Sequence, residues 1–215
     1  PRLAVLPHGG LVRRLDAGER VNVPRHWVVI FHRLVPTASV VVAATVLAGL
    51  PLLPAIRWRG LLVDAIGSVT YTQNWVLALR AVDYYADDKG AASPLQHMWS
   101  LSLQGQAFLL WPVLLVALAA LARRTGWLSV RGAIAVGLGS LALASFAWAV
   151  HSTGTQQGFA YFDGAARLWE LALGGVLALV VHRVRVPGAV ATPLGWLGVA
   201  GLLPGGLVLD VTGTF

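Results

Sequence analysis

Polar side chains set in an otherwise apolar stretch are the residues of this sequence able to do chemistry. Between Pro94 and Pro112, His97, Ser100 and Gln104 recur at i, i+3 and i+7 and share one helical face. Trp99, Ser102 and Gln106 form a second stripe, roughly opposite. An imidazole exchanges a proton near neutrality, so His97 suits general acid/base work on an alcohol or a thioester. The same residues also read as interhelical hydrogen-bond glue worth about 1 kcal/mol per contact, and spacing alone favours glue. Pro112, which lacks a backbone donor, predicts a kink.

A second group stands further on. Arg167 and Glu170 lie three apart on one helix and can pair. An ionisable residue inside the membrane marks a functional site, with its partner named. An ion pair that only orients the helix is the equal alternative. Gly174 and Gly175 behind it would let a neighbouring helix approach closely. Arg25, His32 and Arg33 precede the first span and either bind an anionic donor or lipid headgroups, or serve as a plain anchor. The sequence holds no Walker loop, dinucleotide glycine pattern or His-Glu-x-x-His. With no cysteine there are no disulfides or thiolate metal sites, and no metal site is expected.

The elements that must carry these residues follow from composition. The chain has 215 residues, 57% apolar and only 12% charged, with a mean hydropathy of +0.71. Soluble domains run to about 25% charged, so a soluble globular domain and a disordered chain are both excluded. A net charge of +7 could point to nucleic acid, but the arginines are not clustered. They lie between the charge-free runs Leu34–Ile56, Gly90–Ala122, Gly132–Phe162 and Val186–Leu209. Each exceeds the roughly 18 residues that cross a 30 Å hydrocarbon core. The expected fold is an all-α, polytopic transmembrane helix bundle with five or six membrane segments in the lipid bilayer. Residues 1–33 are expected to form a basic cytoplasmic segment and 34–215 the transmembrane domain. No nucleic-acid partner is expected.

Charge bias orients the segments. Cytoplasmic loops are rich in Lys and Arg, which puts 1–33, the Arg123–Arg131 turn and Arg183–Arg185 inside. The acidic Asp83–His97 and the Asp163 loop then lie outside. Leu34–Ile56 leads out and Ser100–Ala122 leads back, so Gly60–Val82 cannot cross fully. Its Asp64, Ser68, Thr70, Gln73, Asn74 and Arg80 agree. It reads as a re-entrant or cavity-lining element, tolerated where protein surrounds it, or else as a single polar helix in the bundle. The remaining spans are Gly132–Val150, Arg167–His182 and Pro193–Leu209. Trp58, Trp99, Trp127 and Trp169 fall near span ends, as interfacial belts do. The opening at Pro1 and the apolar close near Phe215 both read as cut ends.

The stretch His97–Pro112, H-M-W-S-L-S-L-Q-G-Q-A-F-L-L-W-P, resembles the hallmark H-T-W-S-L-S-V-E-E-Q-F-Y-L-L-W-P of the acyltransferase 3 family, the integral-membrane O-acyltransferases of cell-surface glycans. Thr72-Gln-Asn74-Trp75, Val82-Asp83-Tyr84-Tyr85 and Ser93-Pro94-Leu95 look like its S-N-W…D-Y-F…S-P-L lead-in. Arg167-Leu-Trp169-Glu170-Leu-Ala-Leu-Gly174 looks like its R-a-W-E-L-l-L-G helix, and Ile30–Pro36 like its R-x-x-R-I-x-P entry to a span. The resemblance implies transfer of an acyl group, often acetyl, from acyl-CoA as co-substrate to a hydroxyl of an extracytoplasmic glycan or lipid-linked sugar, in the bacterial cytoplasmic membrane, with no bound cofactor. It suggests His97, Gln106 and Glu170 as catalytic, and Trp99, Ser100, Gln104, Asn74, Tyr85 and Arg167 as substrate-binding. Arg33 would touch the donor. Two glutamates of the motif are Gln104 and Gly105 here, an actinobacterial-like Q-G-Q variant, and Ile30 stands where a second arginine would. The family's two N-terminal helices, with their arginine-and-histidine motif, have no counterpart in this sequence, which reads as an N-terminally truncated member. The alternatives are a transporter or flippase-like module, which the absence of self-similar halves disfavours, and an inactive remnant.

Overall fold

The computed structural model describes residues 7–82, 93–180 and 187–208, and every regular element among them is helical. The order is α1 (Pro7–Asp16), α2 (Val23–Leu52), a 3₁₀ turn at Ala55–Arg57, α3 (Trp58–Val69), α4 (Gln73–Val82), α5 (Met98–Thr125), α6 (Val130–Thr155), α7 (Gln157–Phe162), α8 (Leu168–Val180) and α9 (Gly188–Val208). The chain divides into a unit covering residues 1–179 and a second covering 180–215. The second unit contributes α9, a 21-residue helix without a charged residue.

Three helices of the first unit, α2, α5 and α6, are long and apolar enough to cross a membrane. At 1.5 Å per residue their 30, 28 and 26 residues exceed the roughly 30 Å core. Leu47, Leu110 and Leu143 are among the large apolar side chains on their outer faces. These belong in lipid. Inside, small residues bring helices together: a Cβ on Gly137 would lie 2.6 Å from Leu118, and one on Gly175 2.8 Å from Leu138. Close approach through small residues is how membrane helices gain packing energy. Gly175 does what the sequence led us to expect; Gly174 faces open space. α5 runs without interruption through Pro112.

Residues 60–82 form neither a span nor a single polar helix. α3 and α4 are about 18 and 15 Å long, and they fold back on each other across Thr70–Thr72. Asp64 is 1% exposed and pairs with Arg80 at 2.7 Å, while Gly67 packs on Gln73 and Val76. The polar stretch is thus a helical hairpin. Its tip, Tyr71, packs edge-on to Phe31 of α2 at 5.7 Å between centroids. Both open ends of the hairpin lie away from the Thr70–Thr72 turn.

Where the first long helix starts differs from expectation. α2 begins at Val23, not Leu34, so Arg25, His32 and Arg33 are helical residues rather than residues ahead of a span. Asn22 caps it, its Oδ1 accepting from the Arg25 N–H at 3.0 Å, and Pro24 lies in the first turn. The Trp27 indole N–H donates to the Leu109 carbonyl at 3.1 Å, which sets the first turns of α2 against the middle of α5. The remaining part of α5 is flanked by α1. Leu11, Val12 and Leu15 bury against Leu115, Ala119 and Ile134. Arg123 donates to the Leu15 carbonyl and Arg131 pairs with Asp16 at 3.5 Å. Part of the basic N-terminal segment is therefore a docked amphipathic helix.

Candidate functional site

One face of α5 and the α7–α8 junction enclose a cleft of about 390 Å³. The two stripes read from the sequence do not oppose each other. Ser100 and Gln104 border the cleft on one side and Trp99 and Gln106 on the other, with Leu103, Ala107 and Leu110 between. Ser102, like His97, does not line the cleft. It is 1% exposed and accepts from the Gln73 N–H at 3.2 Å, holding the hairpin.

The opposite wall is built by a short turn. Asp163 is buried at 2% exposure; its carboxylate accepts from the Trp148 indole N–H at 2.7 Å and from the Ala165 N–H at 2.9 Å. Ser145 of α6 accepts from the Trp169 N–H at 2.9 Å and donates to the Ala165 carbonyl at 2.6 Å. That satisfies an amide in the first turn of α8, where no intrahelical partner exists. Two buried side chains of α6 and the turn thereby fix the start of α8, and with it Arg167.

Arg167 is held four ways. Its Nε donates to the Tyr161 carbonyl at 3.1 Å, and its Nη1 meets Glu170 Oε1 at 3.3 Å. Its guanidinium carbon lies 5.1 Å from the Trp99 ring and 5.0 Å from the Tyr161 ring. Both distances are within cation–π reach. Trp99, Tyr161 and Phe162 pack together with centroids 4.9 to 5.7 Å apart. The result is an aromatic shelf carrying a fixed cation, with a carboxylate one turn along.

Behind the cleft an amide network ties α5 to the hairpin. Gln106 Nε2 donates to the Tyr71 carbonyl at 2.8 Å and to Asn74 Oδ1 at 2.9 Å. Asn74, fully buried, donates its Nδ2 to the Phe162 carbonyl at 3.4 Å.

Of the residues singled out from the sequence, Trp99, Ser100, Gln104, Gln106, Arg167 and Glu170 line the cleft. Asn74 sits behind Gln106 rather than in the wall. His97 is exposed just before α5 and does not line it; its carbonyl accepts from the Ser100 hydroxyl at 3.1 Å. Arg33 is exposed on α2, away from the cleft. Tyr85 lies outside the described residues. Tyr161 and Asp163 carry roles that the sequence reading does not assign: the one holds Arg167 and the other fixes the turn. The Asp163-Gly164 pair ahead of an apolar helix is the turn signal that could have exposed them.

A relative named peptidoglycan O-acetyltransferase OatA, from Listeria monocytogenes, is 29% identical over 170 residues, 79% of this chain and 26% of that protein. An O-acetyltransferase OatA from Staphylococcus aureus is 32% identical over 117 residues, 54% of this chain and 18% of that protein. The chain thus spans about a quarter or less of the curated relatives it matches. No family model matches. No solved structure matches either.

Proposed function

We propose that this chain belongs to a membrane-bound O-acyltransferase of the bacterial cytoplasmic membrane, and that it shapes the acceptor site. The group moved is an acetyl or similar acyl group, from acyl-CoA to a hydroxyl of a cell-wall glycan. The observation carrying this reading is the meeting of Trp99, Gln106, Arg167 and Glu170 in one cleft. An aromatic shelf beside convergent polar groups is what a small polar ligand with an apolar face requires. The two relatives named as O-acetyltransferases support the same reading.

The acceptor oxygen attacks the thioester carbonyl carbon; the new C–O bond forms, the C–S bond breaks, and the thiolate leaves. The hydroxyl proton passes to a base and then to the thiolate. Glu170 is the carboxylate of the cleft wall and the favoured base, with the Arg167 guanidinium beside it to stabilise developing negative charge. Arg33 is the proposed contact for the anionic donor.

The test uses the full-length membrane protein and measures ester formed on glycan from acyl-CoA. Glu170→Gln is expected to lose about 100-fold or more, the range of a missing proton-transfer group, at unchanged protein level. His97→Ala, outside the cleft, should lose less than about 10-fold. The opposite ranking would move the base to the cleft mouth, and an inert wild type would defeat the reading.

A further inference from the structure

The direction of every hydrogen bond in the amide network is fixed by its ends. The Phe162 and Tyr71 groups are backbone carbonyls, which only accept. The atom of Asn74 facing Phe162 is therefore Nδ2, which turns Oδ1 toward Gln106. Gln106 must then present Nε2 both to Asn74 Oδ1 and to the Tyr71 carbonyl, which uses both of its amide protons. What remains is Oε1. It lies near Gly164, where a Cβ would stand 3.8 Å from it, and Gln106 lines the cleft. Among the described residues no donor reaches it.

We propose that Gln106 Oε1 is a dedicated hydrogen-bond acceptor that selects a ligand hydroxyl, and that the α3–α4 hairpin tip is the device that prevents the amide from turning over. This rests on the glycan-acylation reading and deepens it: the cleft recognises a sugar group that can give a hydrogen and rejects one that can only accept. Rejection follows because the acceptor would be left unpaired in the wall. An amide neither gains nor loses a proton in this range, so Gln106 acts by orienting and selecting rather than by proton transfer.

The experiment is sugar binding to the full-length protein in lipid nanodiscs, read by tryptophan fluorescence, since Trp75 and Trp99 line the cleft. The probes are the N-acetylglucosamine–N-acetylmuramic acid disaccharide and its monodeoxy and monodeoxyfluoro analogues. Fluorine matches a hydroxyl in size but donates nothing. At one hydroxyl position, both analogues are expected to bind wild type about 10-fold or more weakly than the parent, the scale of one lost hydrogen bond. Gln106→Met should bind parent and both analogues alike. If fluoro analogues bind as well as the parent at every position, the acceptor assignment is overturned. That comparison needs wild type only and stands even if Gln106→Met does not fold. Penalties that persist unchanged in Gln106→Met also overturn it, leaving the glycan reading intact. A wild type that binds no disaccharide removes both.

Discussion

Gly105 and Tyr71 are locked together across 34 positions of sequence. A Cβ on Gly105 would lie 2.3 Å from Tyr71 Cδ1, so the tyrosine ring occupies the volume that any side chain at 105 would need. Tyr71 is also the one non-glycine residue with positive φ among those described, at 58°, a conformation that costs on the order of 1 kcal/mol or more. The departure of the motif from glutamate to glycine thus has a steric reason at the hairpin tip. Gly105→Glu should destabilise the protein by about 1–3 kcal/mol through overpacking. Tyr71→Gly in the same chain removes both the ring and the strain and should recover most of the loss. Thermal unfolding in detergent measures both; additive losses would dissolve the lock. The pair was not legible in the sequence: the motif departure marks Gly105, but nothing joins it to Tyr71 until the tip meets α5.

At the scale of elements, the hairpin is where sequence reading went furthest. Asp64, Gln73, Asn74 and Arg80 were too polar for a lipid-facing span, and the structure puts that polarity inside: Asp64, Gln73 and Asn74 are all 1% exposed or less. A buried carboxylate that loses its cation is costly, about 3–5 kcal/mol for a fully buried pair. Arg80 keeps 38% of its side chain exposed, so Arg80→Leu should cost less, about 2 kcal/mol. Asp64→Asn combined with Arg80→Leu should restore part of that. A double variant no more stable than Arg80→Leu in the same melting experiment would deny the pair its role. The start of α2 went the other way. Arg25 and Arg33 masked a helix that Asn22 and Pro24 announce, since a charge count weighs loop-like residues and ignores caps.

For the molecule as a whole, the charge bias predicts sidedness, with Arg57 and Arg59 at the outer end as its misfit. The α2–α3 turn and the entry to α5 belong to one end of the bundle, and the α5–α6 turn, with Trp127 91% exposed, to the other. Ile56→Cys and Pro94→Cys should label with an impermeant thiol reagent from outside intact cells. Trp127→Cys should label only after the membrane is opened. Labelling of all three from one face would break the assignment. The number and approximate place of the long helices were readable from charge-free runs of more than 18 residues. Their stagger was not: α2 meets α5 near Leu109 through Trp27, and α1 flanks the rest. That offset is set by contacts between distant segments, which no local pattern encodes.

The chain of hydrogen bonds from Phe162 through Asn74 and Gln106 to Tyr71 contains two backbone carbonyls and two amides, and nothing in it titrates. The cleft's acceptor oxygen would therefore hold its position regardless of acidity. Binding of the disaccharide should stay flat between about pH 5 and 8, where a histidine-based contact would change. Recognition of the acceptor would then be indifferent to the acidity of its surroundings, because it is fixed by amides and carbonyls alone.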